Sequence, residues 1–421
     1  MGIEQIIAIS IFLLVMIAII SEKINRCVAA LCGALLMILF NILPLEVSLS
    51  HVDFNTIGVL VGMMLFVAVV KNSGMFEYIA IFTAKKAKGD PWKIMISFVI
   101  ITAILSAILD NVTTVLLIGP MTIVITHILG LDPIPFLITQ ILASNIGGTS
   151  TLIGDPPNIM IGSAANLSFM DFVLNLGPIV IVLLFVIIIC FKFLFAKKLV
   201  VSKSHKEDIL KLDERKSIKD KALLIKSLIV MLFILIGFTL HSVINIESSV
   251  VALTGATVML LIGNQDIDEI LASIEWSTII FFIGLFIIVG GLQEVGVINQ
   301  LAIFLISATE GHPVLTMLII LWLSALVSSF LDNIPFVATL IPLILTMESQ
   351  GIDVMPLWWA TSLGACLGGN GTLIGASANI VLANVGQKHG YPISFKDYFK
   401  IGFPVMILTV CISTIYLLIK F

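Results

Sequence analysis

The chain has 421 residues, 59% of them apolar and only 11% charged, with a mean hydropathy of +1.18 and a formal net charge of −4. Soluble domains carry about a quarter charged residues, so this composition excludes a soluble globular protein and describes an integral membrane one. The five cysteines are scattered through apolar stretches with neither metal-ligand nor disulfide spacing. No nucleotide loop, HExxH pair or basic nucleic-acid patch occurs, so an enzyme, a nucleic-acid partner or a cofactor beyond a coupling ion is not expected.

A membrane span needs about 20 mostly apolar residues. In chain order the pattern predicts spans at 3–21, 27–43 and 56–70. The first has no basic residue before it and no cleavage site after it, and reads as a retained span rather than a signal peptide. Residues 92–128 follow, apolar but interrupted at Asp110-Asn111. Then come a broken segment at about 136–166 and a span at 172–195. Residues 197–221 form a polar linker, read as a solvated connector. The second half gives spans at 222–241, 249–263 and 276–291. It continues with 313–346, interrupted at Asp332-Asn333, a broken segment at about 356–386 and a span at 401–420.

The two broken segments are the centre of the pattern. Residues 144–158 read S-N-I-G-G-T-S-T-L-I-G-D-P-P-N, and 366–379 read C-L-G-G-N-G-T-L-I-G-A-S-A-N. Irregular backbone at membrane depth survives only where protein buries it or where it lines a water-filled cavity. Matched discontinuous segments in two halves point to the substrate site of a secondary transporter.

The halves correspond beyond these segments. Asp110-Asn111 recurs as Asp332-Asn333, and Pro120/Pro342, Thr56/Thr278, Gly62/Gly284, Gly74/Gly296, Ala30/Ala252 and Gly33/Gly255 all keep the same sequence interval. The expected organisation is a first repeat at 1–196, a linker at 197–221 and a second repeat at 222–421. The two interrupted stretches have arms of about 17 residues, short for full spans, and are taken as re-entrant hairpins. Each half then crosses five times. An odd number inverts the second half relative to the first, giving an inverted repeat. This topology places all but Lys420 of the 22 basic residues on one side, which the positive-inside rule makes cytoplasmic, with both termini outside.

The polar groups expected at mid-membrane fall into two sets. At the hairpin tips and the adjoining breaks, Asp110, Asn111, Thr113, Thr114, Asp332, Asn333, Gly154 and Gly375 are the candidates for a coupling ion. In the broken helices, Asn145, Thr149, Ser150, Thr151, Asp155, Asn158, Asn370, Thr372, Ser377 and Asn379 are the candidates for substrate. No Lys or Arg is expected in either set. Carboxylates without a basic partner are costly in a membrane and should titrate or bind a cation. Asp155, before Pro156-Pro157, and Asp110 and Asp332 at the hairpin turns also fit helix caps. The asparagines also fit interhelical hydrogen bonding, with their glycines serving close packing.

At these residues the chain resembles the ion transporter superfamily. L-D-N-V-T-T at 109–114, L-D-N-I-P-F at 331–336 and the two broken segments are most similar to the branch of arsenite permeases and the melanosomal P protein. The resemblance implies an all-α, elevator-type transporter, with the hairpins and broken helices in a mobile domain, and it suggests a homodimer. Relatives in the sodium-dicarboxylate branch carry Ser-Asn-Thr tips, whereas this chain has Asp110-Asn111-Val112-Thr113 and Asp332-Asn333-Ile334-Pro335. The expectation is an ion-coupled carrier in the cytoplasmic membrane, with lipid and a small inorganic solute or ion as its partners. A proton-coupled permease for a species such as arsenite is favoured, with Cys366 either a soft ligand or a packing residue. The alternatives are a sodium/proton antiporter, a sodium-coupled dicarboxylate carrier and an anion channel.

Overall fold

The structure, a computed structural model, describes residues 2–21, 23–309 and 312–421. Every regular element among them is helical. The first half runs α1 (Ile3–Ser21), α2 (Arg26–Leu39), α3 (Leu45–Ser50), α4 (Phe54–Lys71) and α5 (Met75–Lys86). It continues with α6 (Pro91–Ile108), α7 (Asn111–Ile128), α8 (Ile134–Gly148), α9 (Pro156–Ala164) and α10 (Phe169–Phe195). The linker holds α11 (Lys203–Lys211). The second half runs α12 (Lys221–Leu240), α13 (Ser248–Gly263), α14 (Ile267–Ala272), α15 (Trp276–Glu294) and α16 (Val297–Ala308). It ends with α17 (Pro313–Phe330), α18 (Asn333–Ser349), α19 (Met355–Gly368), α20 (Ser377–Lys388) and α21 (Phe395–Lys420).

The starts of α2 to α7 and of α13 to α18 are separated, pair by pair, by the interval of the sequence repeat, so that interval also governs the backbone. Among the described residues, nine helices are long and apolar enough to cross a membrane. Three of the four hairpin arms are 18 residues long and α18 is 17. The pattern missed four short helices, α3, α5, α14 and α16. Each is too short for the span criterion, and α5 also carries Glu77, Lys85 and Lys86. The paired Gly74 and Gly296 mark the starts of α5 and α16, where φ is 81° and 76°. Only a residue without a Cβ adopts that left-handed turn at little cost.

Helices α8 and α19 form the centre. Every residue from Phe136 to Gly148 and from Pro356 to Gly368 is buried. Each packs on the first arm of its own hairpin, α8 on α6 and α19 on α17. The close approach needs glycine. A Cβ on Gly147 would lie 2.4 Å from Ala103 Cα, and one on Gly368 would lie 2.7 Å from Ala325 Cα. The outer pairs exchange between halves: α4 packs on α13 and α2 on α15. Gly62 there lies against the Ala252 backbone, and Gly284 against the Ala30 backbone. The second hairpin arms also cross over, α7 onto α20 and α18 onto α9. One continuous hydrophobic cluster runs through both halves.

Most of the linker is exposed or half-buried, but it is docked at a few points. Its Ile209 is fully buried, and Lys219 N donates to Ser73 O at 3.0 Å. Lys85 Nζ donates to Glu214 Oε2 at 2.5 Å, and this bond holds the Glu214 carboxyl below its usual range. The charge run hid Ile209, which docks the segment against α5 and α7.

Candidate functional site

Both broken helices unwind over a few residues and then restart, at 149–155 between α8 and α9 and at 369–376 between α19 and α20. One asparagine holds each break. Asn158 Nδ2 points to the carbonyls of Gly148, Thr149 and Thr151 at 3.3, 3.2 and 2.9 Å. Asn379 Nδ2 does the same to Gly369 and Thr372 at 2.7 and 2.9 Å. These amides take up carbonyls that an ended helix leaves without partners. The glycines close the fold: a Cβ on Gly154 would lie 2.4 Å from the Gly148 carbonyl oxygen, and one on Gly375 would lie 2.8 Å from that of Gly369.

Most hydroxyls of the candidate set brace this backbone. Thr149 and Ser150 donate to Asn145 O and Gly147 O at 2.7 and 2.6 Å. Thr151 reaches Ala107 O at 2.6 Å, and its repeat partner Thr372 reaches Ser329 O at 2.5 Å. Ser106 and Ser328, another pair at the repeat interval, bond Ser144 O and Ala365 O at 2.6 and 2.8 Å. Sequence reasoning missed this last pair, although the interval would have found it.

The two breaks meet. Asn145 Nδ2 donates to Asn370 Oδ1 at 3.0 Å and to Asn379 Oδ1 at 2.9 Å, while Asn111 Nδ2 donates to Asn145 Oδ1 at 3.1 Å. Cys366 holds the equivalent place in the second half, and its thiol donates to Asn158 Oδ1 at 3.7 Å. Cys366 is fully buried. Asn111 Oδ1 and Thr114 Oγ1 are buried and have no hydrogen-bond partner.

The three carboxylates differ. Asp110 caps α7 through Thr113 N at 2.7 Å, and Asp332 caps α18 through Ile334 N at 3.1 Å. Asp155 occupies the cap position of α9 but makes no cap bond. Pro156 and Pro157, its next two residues, have no N–H to offer it. Its oxygens face Asn333 Nδ2 instead, at 3.4 Å, from a site only 1% exposed.

One expectation is overturned: a basic residue does belong to the site. Arg26 Nη1 lies 3.1 Å from Asp332 Oδ2 and also bonds Ser377 Oγ, Nη2 bonds Thr278 Oγ1 at 3.2 Å, and the guanidinium stands 5.3 Å from the Phe281 ring centre. Ser377 Oγ itself donates to Asp332 Oδ2 at 2.7 Å. The hydropathy pattern put Arg26 in a loop, but Asn25 caps the helix there and makes Arg26 the first residue of α2. A long side chain then carries the charge inward from the helix end. Arg26 and Ser377 line both a cavity of about 240 Å³, shared with Asn25, Phe330 and Asp332, and one of about 120 Å³, shared with Lys71, Asp110, Thr113 and Glu275. A third cavity, of about 190 Å³, is walled by His51, Asp53, Ser163 and Gln293. Asp53 and Gln293 are the repeat partners of Glu275 and Lys71. Among the described residues, no group of three His, Cys, Asp or Glu could hold a metal ion.

The sequence model of the family described as citrate transporter matches residues 16–364. The chain belongs to the citrate transporter family. It is 41% identical over 428 residues to a 46 kDa membrane protein of Mycobacterium leprae, covering 99% of both chains. It is 40% identical over 425 residues to an uncharacterized transporter of Mycobacterium tuberculosis, again covering 99% of both. The likeness to the P protein holds: the human protein is 33% identical over 486 residues, covering 95% of this chain and 58% of that one. Among solved structures, the Alcanivorax borkumensis YdaH transporter superposes with a TM-score of 0.61 at 14% identity, over 86% of this chain and 85% of that one. The shared fold is that of a multi-pass membrane transporter.

Proposed function

We propose that the protein is an ion-coupled secondary transporter that moves a small solute across the cytoplasmic membrane by alternating access. The observation that carries this is the meeting of two unwound helices, cross-bonded from Asn145 to Asn370 and Asn379, with one hairpin tip bonded to the first at Asn111–Asn145 and the other to the second at Asp332–Ser377. Inverted halves are supported by two cavities related by the repeat. One joins the end of α4 to the start of α15, and the other joins the start of α4 to the end of α15. Those two helices therefore run antiparallel. In the elevator reading, α1–α4 and α12–α15 are the fixed part, and the hairpins and broken helices move. The interdigitated α2/α15 and α4/α13 pairs suit the fixed role.

In this reading the coupling ion, a proton or sodium, binds in the first half. Among the described residues Asp110 and Asp155 have no salt-bridge partner, and Asn111 Oδ1 and Thr114 Oγ1 have no hydrogen-bond partner. A neutral species such as arsenite would leave the Arg26 charge without a use, so a charged solute suits the site better.

Purified protein in sealed liposomes loaded with a pH-sensitive dye tests this. Sodium, arsenite and a dicarboxylate are added in turn. Proton movement triggered by at least one is the expected result, and the trigger identifies the coupling. Silence to all three with folded protein would sink proton coupling for these solutes and leave sodium as the coupling ion to be tested.

A further inference from the structure

The two helix restarts of the site are chemically opposite. Helix α9 opens with Pro156-Pro157 behind a carboxylate, so it offers an approaching anion neither amide donors nor positive charge. Helix α20, 12 residues long, opens with Ser377-Ala378, carries its N–H groups, and has no side-chain cap. A helix start of this kind favours negative charge. The chain adds a full positive charge there, because Arg26 bonds Ser377 at the first position of α20. The repeat partner of Arg26 is Ser248, which carries no charge.

The charge is also reachable, and its ion pair is made at a single point. Arg26 forms a wall of both cavities and is 29% exposed. It meets Asp332 through a single nitrogen, while its second terminal nitrogen goes to Thr278. A paired fork between guanidinium and carboxylate is the tighter arrangement. Asp332 does not depend on Arg26 alone, because its Oδ1 caps α18 and its Oδ2 also accepts from Ser377.

Building on the transporter reading above, we propose that Arg26, with Ser377 and the start of α20, is the receptor for an acidic group of the transported solute, a carboxylate or phosphate. Asp332 is the resident counter-ion that this group displaces. Arg26 and Thr278 come from α2 and α15, whereas Asp332 and Ser377 come from the second hairpin and broken helix. The solute's acidic group is therefore held at the boundary between the part taken as fixed and the part taken as moving.

The test is uptake of radiolabelled citrate, succinate and inorganic phosphate into proteoliposomes under imposed proton and sodium gradients. It is paired with binding of the same probes to the purified full chain. At least one probe should be taken up, and the carboxylate and phosphate arms separate the two sources of acidic group. Arg26→Gln should lower uptake at least about tenfold, since a charge-assisted bond is lost. Arg26→Lys should raise KM more than it lowers kcat. Asp332→Asn should bind the probe more tightly than the parent, because the competitor is gone. The double variant Arg26→Gln/Asp332→Asn leaves no unpaired charge and guards against misfolding; it should melt near the parent and still fail to bind. Undiminished uptake by Arg26→Gln, or binding weakened equally by Arg26→Gln and Asp332→Asn, would overturn the proposal. So would failure of all three acids while sodium or arsenite still drives proton movement, an outcome that leaves the transporter reading standing. Absence of every flux would remove both.

Discussion

Asn145 of the first broken helix and Asn370 of the second share a hydrogen bond of 3.0 Å, and the same Asn145 amide reaches Asn379 at 2.9 Å. Its Oδ1 meanwhile accepts from Asn111 on the hairpin tip. One fully buried side chain thus ties three segments that lie far apart in sequence. Asn145→Ala should lower stability by about 3 kcal/mol or more, because each orphaned buried group costs roughly 1–3 kcal/mol. Asn145→Asp should be worse than alanine if it stays ionised, since a carboxylate would face two carbonyl oxygens. Thermal unfolding in detergent checks the order parent, alanine, aspartate; an aspartate variant as stable as the parent would contradict it.

Asn158 and Asn379 make a matched pair of the same kind. Each spends its amide donors on the carbonyls of its own break. Asn158 also accepts from Ser362 at 2.6 Å, and Asn379 accepts from Asn145. Asn158→Ala and Asn379→Ala should each abolish uptake and lower the melting temperature, with Asn158 the more costly because its amide faces three carbonyls. The measurement is uptake normalised to folded protein. Retained uptake in either variant would show that the break keeps its shape without the lock.

Much of this was legible because the chain states it twice. The repeated Asp-Asn pairs fall where α6 gives way to α7 and α17 to α18, and the two glycine-rich segments fall where α8 and α19 end. Glycine, proline and paired asparagines inside apolar runs have few other uses at membrane depth. What the pattern could not show was which groups the folded backbone uses for itself. Thr149, Ser150, Thr151 and Thr372 look like ligands in a string of letters, yet each donates to a nearby carbonyl. Arg26 was lost for the opposite reason. A charge at the edge of an apolar run looks like a loop residue, and only the chain's return through α18 and α20 brings Asp332 and Ser377 to it. Ile209 escaped in the same way, as one apolar side chain inside a charged run.

The exchanged helix pairs give a packing prediction. A Cβ on Gly62 would lie 2.6 Å from the Ala252 carbonyl carbon, and one on Gly284 would lie 2.8 Å from that of Ala30. Backbone cannot move aside as a flexible side chain can. Gly62→Ala and Gly284→Ala should each destabilise by about 1–3 kcal/mol, the usual range for overpacking. Gly177→Ala is the control: its nearest neighbour would be 4.0 Å away, and a helical alanine should be neutral or stabilising by up to about 1 kcal/mol. Equal melting temperatures for all three would refute the close-contact account.

The linker contact gives a pH-dependent prediction. Lys85 keeps the Glu214 carboxyl below its ordinary value of 4.5 by hydrogen bonding to it. A carboxyl lowered in the folded state contributes fully above its unfolded value, and the contribution fades as pH falls through the folded value. Trypsin cleavage within 197–221 should therefore stay slow at neutral pH in the parent and quicken in Glu214→Gln. High salt should narrow the difference, since a surface pair is screened. Cleavage at the same rate in both proteins would mean that Ile209 and the Lys219–Ser73 bond hold the linker without Glu214.

Asp155 separates a coupling role from a structural one. It is 1% exposed, lacks a cap bond, and has the Asn333 amide at 3.4 Å and the Cys366 thiol beside its oxygens. A buried carboxylate held so weakly costs stability unless it takes up a proton or a cation. Nothing in the fold requires the charge, because the repeat partner of Asp155 is Ala376 and α20 starts there without any acid. Asp155→Asn keeps the shape and removes the cost, so it should melt at or above the parent temperature. It should also lose the dependence of flux on the coupling ion, leaving at most exchange of solute across the membrane. Proteoliposome flux measured with and without a proton or sodium gradient decides the matter. A variant that is less stable but still gradient-driven would make Asp155 a structural residue. A variant that is stable and insensitive to the gradient would place the coupling ion at the start of α9.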